Sequence, residues 1–221
     1  MNVPHLDYEL EQWNINKLVL GIDEVGRGAF AGPVVVGGVI FKKCCSREEA
    51  NKLASFGIND SKKLTAKKRE YLYNIIQEQA LFTLTIFTDV DVINSYGIGK
   101  ATFQGMRKLV KDCQKKNAFS KLQILVDAFF IPNLDGFEDC QTPIIRGDQI
   151  SLSIAAASII AKVERDRYMK ALALKYPQYG FEKHVGYGTA VHREAIQKLG
   201  VLPIHRTAFI RKLSVSHPTA F

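Results

Sequence analysis

Apolar residues along this chain fall into short runs separated by polar turns, and two of those runs end on acids. Residues 18–22 form an apolar stretch suited to a buried strand, closing on Asp23 and Glu24, so a strand is predicted over 17–23. A second run, 33–41, follows closely enough to pair with it antiparallel. Residues 81–87 alternate apolar side chains with threonine, the signature of a strand with one covered face. Residues 122–127 read as a fourth strand ending on Asp127, and 142–146 as a short fifth. Between them, helical spacing predicts helices over 5–14, 46–54, 65–80 with Thr65 as cap, 99–116, 151–176, 191–199 and 207–213. Met106, Leu109, Val110 and Cys113 form the buried stripe of the fourth of these, opposite a basic stripe of Lys108, Lys111 and Lys115. The segment 214–221 reads as irregular.

The helix before the fourth strand makes a parallel crossover, which brings Asp127 to the carboxyl edge of the sheet. Ligands of open α/β sheets bind at that edge. Asp23 and Asp127 are therefore expected to converge. An unpaired carboxylate is costly to bury, so acids where an apolar strand emerges meet solvent, a cation or a metal. After Asp23-Glu24 comes Gly26-Arg27-Gly28, whose glycines let backbone approach a ligand and whose arginine offers a planar fork that suits phosphate. A plain turn favours the same residues. Asp148 stands just before the longest helix, where a negative charge serves as a cap as well as a ligand. Asp166 lies inside that helix, four residues from Lys162, and can form a surface pair.

Two further stretches bear on partners. Lys62, Lys63, Lys67, Lys68 and Arg69 crowd a helix start, where cations oppose the dipole; phosphate contact would give them a reason, and a solvated face is the alternative. Tyr179, Phe181 and Tyr187 sit among glycines after the long helix, placed either to fill a loop core or to stack on a base or sugar.

Composition narrows the class. The 221 residues suffice for one sizeable domain, and 30 Lys and Arg against 22 Asp and Glu give a net charge of +8, which favours a polyanionic partner. No apolar run reaches the roughly 20 residues of a membrane span, and the first residues lack a basic segment followed by an apolar one, so a soluble, cytoplasmic protein is predicted. Cys44, Cys45, Cys113 and Cys140 show no C-x-x-C spacing, and the histidines no H-x-x-x-H pair. Any metal is then held by oxygen, which favours Mg²⁺ or Mn²⁺ over zinc.

Taken together, residues 21–28 (Gly-Ile-Asp-Glu-Val-Gly-Arg-Gly), 59–64 (Asn-Asp-Ser-Lys-Lys-Leu), and Gly147-Asp148 followed by 155–163 (Ala-Ala-Ala-Ser-Ile-Ile-Ala-Lys-Val) resemble the bacterial ribonuclease HII family of type 2 ribonucleases H. Tyr179-Gly180-Phe181, Gly186-Tyr187-Gly188-Thr189 and His205-Arg206 extend the likeness over roughly residues 18–209. The resemblance implies an α/β, RNase H-like fold with a five-stranded mixed sheet, a catalytic domain over 1–188 and a helical extension over 189–221 packed on or near the substrate groove. It implies Asp23, Glu24, Asp127 and Asp148 as catalytic ligands of two divalent ions, Mg²⁺ or Mn²⁺. It also implies substrate contacts from Gly26, Arg27, Gly28, Lys62, Lys63 and Tyr187, the tyrosine stacking on the sugar at an RNA–DNA junction. The implied substrates are RNA–DNA hybrids and duplex DNA containing ribonucleotides, cut by a monomer to leave 3′-hydroxyl and 5′-phosphate ends, with a role in ribonucleotide removal and replication. Val185 departs from the lysine common in the family, which bears on one implied phosphate contact and not on the chemistry. Ribonuclease HIII fits less well, since it usually carries an extra N-terminal domain and lacks the arginine between the glycines. A non-catalytic nucleic-acid-binding protein would account for the charge and the aromatics but not for the spaced acids, and metal-dependent cleavage separates the two. A DNA-cutting relative would be exposed by an all-DNA duplex.

Overall fold

The structure is a computed structural model that describes residues 3–44, 46–117, 121–211 and 213. Cys45, Lys212 and the segment predicted irregular at 214–221 lie outside the described residues. The chain runs α1 (Asp7–Asn14), β1 (Leu18–Val25), β2 (Val34–Phe41), α2 (Arg47–Ala54), α3 (Ala66–Gln79), β3 (Ala80–Thr88), α4 (Val90–Tyr96), α5 (Ile98–Asn117), β4 (Leu122–Asp127), β5 (Gln141–Ile144), α6 (Leu152–Lys175), α7 (Phe181–His184), α8 (Ala190–Leu199) and α9 (Thr207–Ile210). The predicted α/β class and five-stranded mixed sheet are both present. Strand order is β3-β2-β1-β4-β5, with β1–β2 and β2–β3 antiparallel and β1–β4 and β4–β5 parallel. Among the described residues no helix is long and apolar enough to cross a membrane.

Strand alternation splits the core into two layers. Leu20, Ile22, Val36, Ile40, Ile124 and Val126 point to one face, where they bury the α5 stripe of Met106, Leu109, Val110 and Cys113. Val19, Val39, Phe41 and Leu125 point to the other, against α6 and the Leu72–Ile76 face of α3. Helix α6 is buried on nearly every side over its first half, Leu152 to Ala161. Its small residues let its backbone ride directly on the sheet. A methyl added at Gly21 would sit 2.3 Å from the backbone carbon of Ser153, and one at Gly37 2.4 Å from the Ala157 carbonyl oxygen. The two glycines and the Ala155–Ala157 run are thus one packing solution, read from opposite sides.

Helix α1 is fastened to the same seam. Glu9 is fully buried and accepts bonds from Ser151 Oγ at 2.7 Å and the Ser153 N–H at 2.9 Å. Burial raises its pKa while these bonds work to lower it.

Several boundaries differ from expectation for local reasons. The segment after Asp89 closes into α4, a helix too short to show a periodic stripe. The fifth strand ends at Ile144, because Arg146 turns left-handed with φ 57°. Asp148 does not cap α6: Ser151 does, accepting from the Ile154 N–H, while Asp148 sits one turn earlier in a 3₁₀ turn, Gly147–Gln149. Beyond α6, a separate cluster of Phe181, Ala195, Ile196 and Ile210 packs on Met169, Ala173 and Ala31. It seats the last helices against the loop that follows β1.

Candidate active site

Because β1 and β4 are parallel neighbours with Ile22 opposite Val126, the next residues, Asp23 and Asp127, lie side by side toward the carboxyl ends of the two strands. Asp127 Oδ1 accepts the Gly147 N–H at 2.7 Å, which draws the turn carrying Asp148 against the same edge. Asp23 is buried, its Oδ1 accepting from the Glu24 N–H at 2.7 Å. Glu24 Oε1 takes a bond from Arg27 Nη1 at 3.1 Å, whereas its other oxygen is buried without a partner. All four predicted acids therefore meet at one end of the sheet.

They also repel one another. Burial raises the pKa of Asp23 well above the carboxylate range, and the charges of Glu24 and Asp127 add to it. Glu24 is pushed up to about 7, burial outweighing the Arg27 bond, and Asp148 to about 6 by burial and then by Asp60 and Asp127. Asp127 is raised by burial against the Gly147 bond. Lys62 responds in the opposite sense: burial works to lower its pKa, yet Asp148, Asp23, Asp60 and Asp127 outweigh it and the net shift is upward. Its Nζ lies 3.9 Å from Asp148.

A cavity of about 490 Å³ opens beside two of these acids, with Asp23, Glu24, Arg27, Lys62, Lys162 and Tyr187 in its wall and Asp127 and Asp148 outside it. Gly26 is required in that wall, since it adopts φ 91° and a Cβ there would lie 2.1 Å from Arg165 Nε. Gly28 is exposed, with open space where a Cβ would point. Arg27 lies over the Phe129 ring at 4.6 Å, which leaves its fork half exposed at the cavity. Tyr187 is half-buried with Arg165 5.4 Å and Lys162 5.8 Å from its ring centre, while Tyr179 and Phe181 are buried as loop core. Lys63 is exposed and is not in the wall. Of the basic run, Arg69 braces the turn before its helix by bonding the Ser61 and Leu64 carbonyls, so its reason for standing there is structural. Val185, the departure noted in sequence, holds a left-handed φ of 44° that crowds a β-branched side chain, and its carbonyl accepts from Arg165 Nη1.

The donor set fits a hard divalent cation. It is all oxygen, strongly anionic, and includes the orphaned buried Glu24 Oε2. Among the described residues no three acidic, histidine or cysteine side chains are gathered tightly enough to hold an ion, and Arg27 and Lys62 supply positive charge by pairing with Glu24 and Asp148.

Sequence reasoning missed Asp60, which is buried, accepts from the Lys62 N–H at 2.9 Å and takes a 3.3 Å bond from Gln149 Nε2 beside Asp148. It also missed the buried Ser61–Ser158 hydroxyl pair at 2.8 Å and Lys162 in the cavity wall. An Asp-Ser-Lys run, able to cap a 3₁₀ turn, was the available signal for the first two. Asp166 is held as expected by Lys162 at 2.8 Å, with Arg69 at 3.6 Å. Alanine at 148 should therefore cost more activity than alanine at 166, by tenfold or more on the scale of a lost charged contact of about 1.5–3 kcal/mol. Alanine at 166 should lower the melting temperature more. Steady-state rates and thermal scans of both variants check this, and the reverse pattern exchanges the two roles.

The chain matches the family model described as Ribonuclease HII over residues 20–212. A curated ribonuclease HII of Fusobacterium nucleatum is 46% identical over 96% of this chain and 93% of its own length, and one of Clostridioides difficile 45% identical over 87% and 70%. Among solved structures, the ribonuclease H2 of Pyrococcus horikoshii OT3 superposes with a TM-score of 0.64 at 27% identity, covering 89% of this chain and 96% of that one. A chain of the PCNA:RNase HII complex from Archaeoglobus fulgidus gives 0.68 at 25% identity, covering 86% and 93%. Bst-RNase HIII is matched over 62% of its length at 22% identity, a likeness of fold alone.

Proposed function

The chain belongs to the ribonuclease HII family, metal-dependent endonucleases with ribonuclease H activity on RNA–DNA hybrids, and from that premise we propose that it cuts duplex DNA on the 5′ side of an embedded ribonucleotide as well as within hybrids. The observation that carries this reading is the cavity in which Arg27 and Tyr187 both stand beside Asp23. A hybrid of RNA and DNA could be held by charge alone. A single junction requires one group for the phosphate and another for the sugar.

Asp23, Glu24, Asp127 and Asp148 would hold two divalent ions, Mg²⁺ or Mn²⁺, which when bound would supply an activated water and charge stabilisation for the leaving 3′-oxygen. Arg27, already turned by Glu24 and Phe129, directs its remaining donors to the backbone phosphate, and the flanking Gly26 and Gly28 let the strand lie on bare main chain. Lys62, kept protonated by the acids around it, receives a neighbouring phosphate, with Lys63 on its outer side. Tyr187 offers its face to the deoxyribose that follows the ribonucleotide, and the 2′-hydroxyl is sensed and is not the nucleophile. The catalytic unit spans 1–188, and the described part of the remainder, with α8 and α9, forms the helical extension beside the groove. A cytoplasmic monomer acting in ribonucleotide removal and replication is consistent with the +8 charge.

A duplex with one ribonucleotide tests the reading, with Mg²⁺ and Mn²⁺ supplied in turn. The expected fragments carry a 3′-hydroxyl and a 5′-phosphate, the latter on the piece that begins with the ribonucleotide, and an all-DNA duplex stays intact. A 2′,3′-cyclic phosphate would mean that the 2′-hydroxyl attacked, and the mechanism would be wrong. On the same duplex Tyr187→Ala should lose stacking of about 1–3 kcal/mol, or roughly 5- to 150-fold in rate, together with its preference for the junction. An unchanged rate and preference would return Tyr187 to the core of its loop.

A further inference from the structure

Three histidines lie behind the cavity, none of them absorbed by the proposed chemistry. His184, His192 and His205 are buried and mutually packed, with ring centroids 4.4 Å apart for 184–192 and 5.3 Å for 192–205. Their ring nitrogens form a directional series. His192 Nδ1 lies 3.0 Å from the Tyr187 carbonyl, His192 Nε2 lies 3.1 Å from His205 Nε2, and His205 Nδ1 lies 2.8 Å from the Leu202 N–H and 3.2 Å from the Leu202 carbonyl.

A carbonyl only accepts, so the Tyr187 end fixes the direction of the series, and the shorter contact at the other end, to the Leu202 N–H, agrees with it. His192 carries its proton on Nδ1 to serve Tyr187, its Nε2 then accepts, and His205 donates from Nε2 while its Nδ1 accepts from Leu202. The opposite arrangement lets His205 Nδ1 donate to the Leu202 carbonyl, but it sets a lone pair against the Tyr187 carbonyl and an N–H against the nearer Leu202 N–H. His184 follows the same logic, donating from Nε2 to the Tyr179 carbonyl at 2.8 Å and accepting at Nδ1 from the Gly186 N–H. Every ring is neutral in this scheme. Burial agrees, pushing His192 and His205 down to about 4 and lowering His184.

What the series connects matters most. The loop after β1 is pinned on both sides, by a bridge from Ala29 to Tyr187 and another from Ala31 to His205. Phe30 and Ala31 also donate to the Gly186 carbonyl, and Arg206 Nη1 donates to the Arg27 carbonyl. The histidine pair ties together the two outer strips of this arrangement, with the Arg27 loop between them.

We propose that His192 and His205 are positioning residues, which through a one-way hydrogen-bond series hold the Tyr187 strip in fixed offset from the Arg27 loop and so set the spacing at which a ribose–deoxyribose junction is read. The inference rests on the junction roles given above to Arg27 and Tyr187.

The two amide replacements of His192 separate this from mere packing, because an asparagine nitrogen stands in for Nδ1 and a glutamine nitrogen for Nε2. His192→Asn can still donate to the Tyr187 carbonyl, and His192→Gln cannot. Rates on a single-ribonucleotide duplex, divided by rates on a long hybrid, should fall no more than about twofold for asparagine, which keeps the Tyr187 bond and gives up the one to His205. For glutamine the ratio should fall about fivefold, the scale of one neutral hydrogen bond, chiefly through KM on the junction substrate. Equal ratios in two folded variants would overturn the proposal. Nitrogen-15 NMR of the unaltered protein gives a second reading independent of variant folding. Protonation of His192 at Nδ1 and His205 at Nε2 is expected, and the reverse tautomers would sink the proposal. Should Tyr187→Ala leave junction preference intact, the sugar-stacking role falls, while the tautomers and the amide-exchange protection of Gly186 and Tyr187 in the two variants still decide whether the series holds the loop.

Discussion

Asp23→Asn and Asp127→Asn are each expected to lower turnover by about 10³-fold or more while leaving the fold intact. The magnitude follows from removing a ligand whose charge supports transition-state stabilisation of several kcal/mol, each 1.36 kcal/mol being a tenfold change in rate. The fold should survive because both exchanges keep the atom that matters locally: an amide oxygen at 127 still accepts from the Gly147 N–H, and one at 23 still accepts from the Glu24 N–H. Stability should hold or rise. A carboxylate whose folded pKa is raised binds protons more tightly folded than unfolded, so its contribution is present at low pH and is lost as pH climbs from its ordinary 3.8 toward the folded value. Asparagine at 23 removes that loss. Thermal scans in divalent-free buffer should therefore show the Asp23→Asn variant gaining on the parent as pH rises above 3.8. Near-parental turnover with Mg²⁺ in either variant would refute the ligand assignment.

The second large effect concerns a residue with no chemistry. Gly21→Val should destabilise the protein by about 3 kcal/mol or more, beyond the usual 1–3 kcal/mol of core overpacking, since the obstacle is the main chain of Ser153 and not a side chain that can turn away. For a chain of this size that is a fall of roughly 6–12 °C in melting temperature. Activity should drop alongside, because Gly21 and Asp23 face the same side of β1 and a displaced α6 moves Ser158 and the Asp148 turn with it. Serine or valine at 21 with an unchanged melting temperature would show that the helix can lift off the sheet without cost.

Where the pattern was strong, the sequence was readable to the residue. β4 begins and ends where its apolar run does, the α5 stripe is buried as its spacing demands, and the parallel crossover brings Asp127 beside Asp23. What escaped notice was polar and buried. Glu9, Arg165 and Arg206 look like surface residues in sequence, yet each is enclosed and served by main-chain groups or hydroxyls from remote segments, such as the Ala31 and Pro33 carbonyls around Arg165. No local periodicity encodes such partners. The histidine series is hidden for the same reason, because its partners are loop carbonyls. Short helices failed differently: α4 and α7 are held by tertiary contact and are too brief to declare a face.

The sheet order also has a temporal side. β1 finds β2 almost at once, but its other neighbour is β4, and the helix laid across it is α6, so the edge where the acids meet needs segments synthesised more than a hundred residues apart. At 5–20 residues per second, roughly 6–25 s separate the emergence of Asp23 from that of Asp148. During that interval the nascent chain lacks Asp148, and for most of it Asp127 as well, while residues 1–147 carry 19 Lys and Arg against 17 Asp and Glu, so most of the net positive charge is also still to come. The charge that suits a polyanion and the last of the four acids thus reach completion together.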